Sequence, residues 1–310
     1  VTTVALFKKL GGRFVSRPLP NAVFELTPGR LSGIRISARG RSVRGRFIHP
    51  FKSAALNPSF DRPNVTEAET IQTAIERGKK FLGLGGASIA LLIPEPCVRI
   101  FVLTADSLPS SEAERDSFVR WRVGKLMPVM PEDLRIDYDV SSSPGPAKII
   151  VCSAREAVIR EYEGLIQSSG MKVGMLTVPS LSLFNLLGNG PERSFILLNI
   201  EADYVSLLAV MDSEWTLYRQ KGIGTDILTD RKADLVVKEV ENTVHFLEDR
   251  EGKKVEGIRV RSESWADGPV VASRLQEVLS LPAEVIEFEA PEAWDVREKA
   301  ILAPLVGQIS

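Results

Sequence analysis

Apolar and polar positions along the chain fall into two blocks with one order: three short strands, a helix, then a further strand. In the first block, residues 22–26, 33–37 and 43–48 have the short β-prone runs of strands. The first two are joined by Thr27-Pro28-Gly29-Arg30, a hairpin signal. Residues 50–63 carry no period and read as irregular. Helical spacing returns over 66–82, with Thr66 as N-cap, Glu69 at the capping-box position and Gly83, Gly85 and Gly86 as terminators. A buried strand follows at 87–93. The second block opens with FILLNIEADYVSLLAV (195–210) and WTLYRQKGIGTDILT (215–229). The first of these turns at Glu201-Ala202-Asp203, and the second ends in a Gly222-Ile223-Gly224 turn. A helix over 226–247 and a strand–helix–strand over 255–287 complete the block.

Between the blocks lies a different pattern. Residues 98–103 form a strand, Ser110 and Ser111 cap a helix that stops at Pro128, and 135–140 with 147–152 bracket the loop SSSPGP as a hairpin. A helix over 154–169 ends at Gly170, a C′ glycine. A strand (171–178) and a short helix (179–187) lead to GNGPER at 188–193, the best linker in the chain. This alternation predicts an α/β protein of two lobes, each with a mixed sheet, and no solenoid repeat. The expected divisions are a basic arm at 1–20, a first lobe at 21–187 with an insertion at about 95–148, a linker at 188–193, and a second lobe at 194–310.

Composition narrows the setting. With 310 residues, 44% hydrophobic and 25% charged, the chain is long enough for two medium domains and ordinary for a globular protein. Its two cysteines, Cys97 and Cys152, sit in apolar runs without metal-ligand spacing. They read as packing residues in a reduced, cytoplasmic environment. The most apolar stretch, 89–103, is interrupted by Pro94, Glu95, Pro96 and Arg99 and is too short to span a bilayer. The apolar run at the N-terminus is too short for a signal peptide but suits a weak interfacial helix, with Leu6, Phe7, Leu10 and Phe14 opposite Lys8, Lys9 and Arg13.

A net charge of −1 conceals an asymmetry: residues 1–53 hold eleven Lys or Arg and one acid, Glu25, so that end carries about +10 and the remainder about −11. Such an end suits an anionic membrane face or an acidic partner. Nucleic acid is a poorer fit because aromatic interleaving for base stacking is not evident. A solvated strand edge protected by charge is the plain alternative.

Four passages resemble the PilM family of type IV pilus assembly proteins, and with it the related FtsA and the cytoplasmic part of GspL. ALLIPEPCVRIFVLTADSLPSSEAERDSFVRWRVGKLMPVMPEDLRIDYDV is similar to the family's inserted small domain, with a Ser-x-Glu-capped helix, a central Trp, a Pro and a strand ending in Asp-Tyr. AKIIVCSAREAVIREYEGLIQSSGMKVGMLTVPSLSLFNLL resembles the return into the first lobe. FILLNIEADYVSLLAVMDSEWTLYRQKGIGTDILT matches the second phosphate hairpin in order and spacing, and KEVENTVHFLE the helix after it. The similarity runs over about residues 20–290. It implies an actin-like (ribonuclease H-like) fold of two lobes with a small α/β insertion.

The departures from the family concern phosphate. Where it has Asp-x-Gly in the first turn, this chain has Glu25-Leu26-Thr27-Pro28-Gly29-Arg30, and Pro28 has no N–H to donate. Arg30 retains the charge to meet a phosphate. In the second hairpin the Asp and Gly positions hold Asn199 and Glu201. Of the Gly-Gly turn that holds adenosine, only Gly268 remains, in SESWADG at 262–268, with Trp265 placed to enter the base pocket. Glu25 and Asp203 are the acids nearest to a magnesium role.

By that resemblance the chain is expected to be a non-catalytic, degenerate actin-like ATPase. It would be a cytoplasmic scaffold of a pilus-like machine, peripherally associated with the inner membrane and binding the cytoplasmic tail of a single-span inner-membrane protein. Self-association is open. The alternatives are a working ATP-binding protein or enzyme of the sugar-kinase or chaperone type, and a GspL- or FtsA-like component of another envelope machine. No cofactor is expected; if ATP and magnesium are retained, the binding residues are Thr27, Gly29, Arg30, Gly222, Gly224, Thr225 and Gly268. Arg99, Arg120, Trp121 and Arg122 are the expected partner-binding residues, lining a groove between the lobe and the insertion.

Each candidate has a plainer reading. Glu201-Ala202-Asp203 can be an ordinary acidic turn. Gly222–Thr225 can be a turn into a Thr-capped helix as readily as an anion site. Trp121 reads most simply as a core residue with Arg120 and Arg122 on the helix's solvent face, set against an interface role. His49 and His245 match no catalytic spacing, and His245 reads as packed on its helix. No P-loop, dinucleotide fingerprint or hydrolase triad is present.

Overall fold

The computed structural model describes residues 20–37, 42–141, 146–187, 193–224, 230–290 and 293–309. They form two compact units, one of residues 20–178 and the other of Pro179–Gln308. The division falls ahead of the expected 188–193 linker, of which 188–192 lie outside the described residues.

The first unit begins with β1 (Ala22–Thr27), β2 (Arg30–Ile36) and β3 (Val43–Pro50), an antiparallel meander. Then come α1 (Ala68–Phe81) and β4 (Ser88–Leu92), which pairs parallel to β1. Helix α1 buries Ile71, Ala74, Ile75 and Gly78. At Gly78 the Phe47 ring of β3 packs closely, 3.0 Å from where a Cβ would stand. The helix starts after Glu67 and has no side-chain cap. Thr66, expected as N-cap, instead donates its hydroxyl to the Ala54 carbonyl, so the irregular segment captures the capping group.

The chain next builds a small subdomain from β5 (Val98–Ala105), α2 (Glu112–Leu126), β6 (Leu134–Val140) and β7 (Ala147–Arg155), with sheet order β5-β7-β6. Ser111 caps α2 as expected, its Oγ accepting from the Glu114 N–H at 3.3 Å. Val119 and Val123, at i and i+4, are the buried stripe of α2 and pack with Leu103, Ile149, Val151 and Phe60. Helix α3 (Glu156–Gln167) and β8 (Lys172–Thr177) return the chain to the first sheet, whose order is β3-β2-β1-β4-β8. Strand β7 runs to Arg155, so α3 starts later than the helical period suggests.

Charge and polar contacts fasten this subdomain to the lobe. Arg135 of β6 binds Glu156 at 2.8 Å and Glu163 at 2.5 Å, both on α3. Glu161 accepts from the Asn64 and Val65 N–H groups. Buried Asn64 in turn meets Cys97 Sγ at 3.2 Å. Cys97 and Cys152 are buried, and desolvation pushes the Cys97 thiol up to about 12 and raises Cys152 further, as expected of inert packing thiols.

The second unit comprises α4 (Pro179–Leu187), β9 (Phe195–Ile200), β10 (Tyr204–Met211), β11 (Glu214–Gly222), α5 (Asp230–Glu251), β12 (Gly257–Ser262), α6 (Asp267–Leu279), β13 (Ala283–Val285) and α7 (Val296–Gly307). Its sheet order, β11-β10-β9-β12-β13, repeats that of the first sheet, with the same antiparallel meander and the same two parallel pairings. All of β10 is buried. Val205, Leu207 and Ala209 face α5 and α6, while the alternate Ser206 meets Ser180 of α4 at 2.6 Å. On α5 the stripe Val240, Thr243, Val244 and Leu247 is buried, so His245 falls off it and is exposed rather than packed.

Helix α7 lies outside the expected elements, although Asp295 and Glu298 form a full capping box at its start. It packs on α4, where Asn185 Nδ2 donates to the Gly307 carbonyl at 3.0 Å. A Cβ at Gly307 would stand 2.1 Å from the Ser182 carbonyl oxygen, which is backbone and cannot swing aside. Gly307→Ala is therefore expected to lower stability by about 1–3 kcal/mol or more. Gly164→Ala, on the exposed face of α3 with nothing within 4 Å, should raise it by about 0.5–1 kcal/mol. Urea denaturation of both variants measures the contrast.

Candidate functional site

The first expected phosphate turn closes on itself. Glu25, near the end of β1, and Arg30, opening β2, are both buried and form an ion pair at 3.1 Å. Arg30 Nε also donates to Ser32 Oγ at 3.1 Å, so its guanidinium faces inward. Thr27 Oγ1 donates to the Arg30 carbonyl at 3.4 Å. The carbonyls of Pro28 and Gly29 accept from the Ala55 and Phe51 N–H groups, which presses the irregular segment onto the turn.

The second turn repeats this chemistry with a different partner. Arg261, on β12, lies in register with Asn199 on β9. Its guanidinium reaches Asn199 Oδ1 at 2.8 Å and makes a very short ion pair with Glu201, whose carboxylate also accepts from Asn199 Nδ2 at 3.3 Å. Both charged side chains are nearly inaccessible, at 3% and 4%. Arg261 Nε donates onward to the Ala300 carbonyl of α7. The Ala202 N–H donates to the Glu263 carboxylate at 3.2 Å, and Lys232 Nζ to the Ala202 carbonyl at 2.5 Å. Glu201-Ala202-Asp203 is an acidic turn whose Glu201 carboxylate is buried against Arg261. Asp203 has its carboxyl raised, first by burial and then by the neighbouring Glu201 charge.

The remaining nucleotide candidates of the second unit lie near the same turn: Gly222 pairs with Tyr204, and Gly268 approaches Ser262, which pairs with Ile200. Gly222 ends β11 and Gly224 has φ +78°, a turn geometry that favours glycine; Thr225 lies outside the described residues. Gly268 is buried in the first turn of α6, within 3.5 Å of Val285 when given a Cβ. Trp265 is 46% exposed and lies under the Arg297 guanidinium. Among the described residues, no group of His, Cys, Asp and Glu could hold a metal ion.

On the insertion, Trp121 is 57% exposed rather than core, because it lies off the Val119/Val123 stripe. Its ring meets Phe118 at 6.3 Å, and Arg122 stacks over Phe118 while donating to the Thr104 carbonyl. Arg120 is exposed beside it. Arg99, at the opposite end of β5, stacks over Phe60 at 4.7 Å and donates to the Val98 carbonyl at 2.9 Å.

No protein-family model matches the sequence, and no curated protein matches it significantly. Among solved structures, a chain of the PilM-PilN type IV pilus biogenesis complex is similar with a TM-score of 0.74 and 15% identity, over 92% of this chain and 97% of that one. A Bacteroides thetaiotaomicron protein of actin-like ATPase fold and unknown function gives 0.56 at 8% identity, over 91% and 95% of the two chains. The cytoplasmic domain of EpsL, an inner-membrane component of the Vibrio cholerae type II secretion system, gives 0.50 at 10% identity, over 92% and 94%.

The fold is actin-like.

Within an actin-like frame the two hairpin turns are where phosphate is expected, and here each is furnished with an internal carboxylate and guanidinium. That donor set does not suit a magnesium–triphosphate group: Pro28 lacks an N–H, the Ala202 N–H is taken by Glu263, and Arg30 and Arg261 face glutamates. Arg261 and Glu263 were not singled out from the sequence. The available signal was a second arginine in the short strand β12, directly after Val260 and two positions past half-exposed Arg259.

Arg261→Met should lower stability by about 3–5 kcal/mol, because it leaves Glu201 buried without its cation. Adding Glu201→Gln should recover much of that loss, as read by a double-mutant cycle in urea. Asp203 titrates above its ordinary 3.8 in the folded chain, so folding is favoured by its protonated form and stability falls as pH rises through that window. Asp203→Asn is expected to raise stability at neutral pH and to flatten this part of the profile in thermal melts.

Proposed function

We propose that this chain is a non-catalytic scaffold of a type IV pilus-like or related envelope assembly machine. It binds the cytoplasmic tail of a single-span inner-membrane partner and works at the cytoplasmic face of that membrane. The observation that carries this reading is the filling of both phosphate turns by the chain's own Glu25–Arg30 and Glu201–Arg261 pairs. An actin-like fold without phosphate donors retains its surfaces and loses its turnover. The fold likeness to PilM, solved as a complex with PilN, supports a membrane-protein partner. No helix among the described residues is long and apolar enough to cross a membrane.

The insertion offers the recognition surface. An exposed Trp121 backed by Phe118 and flanked by Arg120 and Arg122 has the composition of an interface hot spot.

Calorimetry with ATP and magnesium should give no micromolar binding, since the lost charge-assisted donors predict an affinity lowered about a hundredfold or more. Micromolar binding would restore the enzyme reading. A synthetic peptide of the cytoplasmic tail of a single-span protein encoded beside this chain should bind, and Trp121→Ala should weaken it at least about tenfold at unchanged Tm. Full affinity in the variant would move the site off the insertion.

A further inference from the structure

At the far end of the β2–β3 hairpin from the Thr27–Arg30 turn, the first unit has a cavity of about 520 Å³ whose lining includes Arg35, Arg44 and Lys80, with no carboxylate among the lining residues. The site is built rather than a chance meeting of surface cations. Arg35 Nη1 donates to the Leu82 carbonyl at the end of α1, at 3.0 Å, which fixes the guanidinium over the helix terminus. Gly83, at φ +62°, makes room for it, since a Cβ there would come within 2.9 Å of that nitrogen. Ser37 adds a hydroxyl to the lining. At the rim Phe81 is 71% exposed, held only on one side by the Phe47 ring at 5.8 Å.

We propose that this cavity seats the phosphate of an anionic phospholipid headgroup, with Phe81 entering the acyl boundary beside it. The inference rests on the membrane-side placement argued above and names the residues that make the contact. Guanidinium and ammonium groups without a competing acid select a phosphate. A cavity of this size holds a headgroup. The choice of lipid over an acidic peptide comes from Phe81. Phe81 lines the cavity at its rim with most of its ring exposed, so a headgroup seated there brings its acyl chains against that ring, whereas an acidic peptide chain would leave the ring in water. The surrounding charge agrees: residues 1–53 are strongly basic, and their one acid, Glu25, is buried against Arg30.

The test is co-sedimentation of the full chain with vesicles of phosphatidylcholine alone or mixed with phosphatidylglycerol. The expected result is retention on the mixed vesicles only, declining with salt. Arg44→Ala with Lys80→Ala, both exposed, should lower the partition roughly 25-fold at about fivefold per cation, and Phe81→Ser should lower it separately, all at unchanged Tm. Retention of the double variant at the wild-type level would overturn the cavity while leaving membrane association in place. No retention of the unaltered chain would overturn both. Release by millimolar glycerol phosphate as complete as by salt would assign the cavity to a soluble anion and overturn the lipid. Tail-peptide binding should be unaffected in every variant, which separates this test from that of the scaffold reading.

Discussion

A guanidinium buried against a carboxylate, near the end of the first strand of each large sheet, is the interaction on which the rest of the chain's reading depends. Glu25 with Arg30 and Glu201 with Arg261 are all but sealed from solvent. In such surroundings an unpaired charge costs several kcal/mol, so neither member can be lost without the other. Well-packed apolar residues of similar volume would stabilise such a site as well or better. Stability alone therefore does not account for the two pairs. Their distinctive effect is on the turns: each carries a carboxylate of its own, and Arg30 and Arg261 are turned toward it.

The two pairs are wired differently, and the difference has a physical consequence. Arg30 answers Glu25 within one hairpin, so the contact forms between residues close in sequence. Arg261 reaches Glu201 across the parallel β9–β12 pairing and holds the Ala300 carbonyl of α7 with its Nε. The second pair therefore joins a hairpin, a later strand and the last helix, and it can form only after that long-range pairing is made. It acts as a keystone of the second unit, whereas the first is a local clasp.

Much of the fold was legible because each block follows one period at a time. The three-strand meanders, the Ser111 cap, the Gly170 terminator and the hairpin at Glu201–Asp203 all sit where spacing and turn chemistry put them. Failures arose where a local signal had a tertiary competitor. Thr66 has a capping hydroxyl, yet the Ala54 carbonyl takes it. Trp121 and His245 are bulky residues in helices, but their positions miss stripes defined by valines and leucines. Aromatic rings do alternate on the basic edge strand and just past it, at Phe47, His49 and Phe51. Phe47 stacks on His49, His49 meets Phe51 edge-on, and all three are half-buried. Arg261 was hidden for a deeper reason: a charge in a buried strand is explained only by its partner, and sixty residues separate the two.

Once the turns are closed internally, the chemistry left to the first unit is at its periphery. The insertion spends its buried residues on one small core and a clamp by Arg135, leaving Trp121 outside both. The edge strand β3 likewise puts its rings against Gly78 and Phe81 and its cations outward at Arg44. Burying polar groups costs free energy unless they are paired, and exposing aromatics forgoes burial that a folded chain otherwise gains. A chain that pairs Glu25 with Arg30 and Glu201 with Arg261 while leaving Trp121 and Phe81 exposed has not run out of ways to pack. On the proposed reading, those two side chains are where a second phase or a second molecule completes the burial.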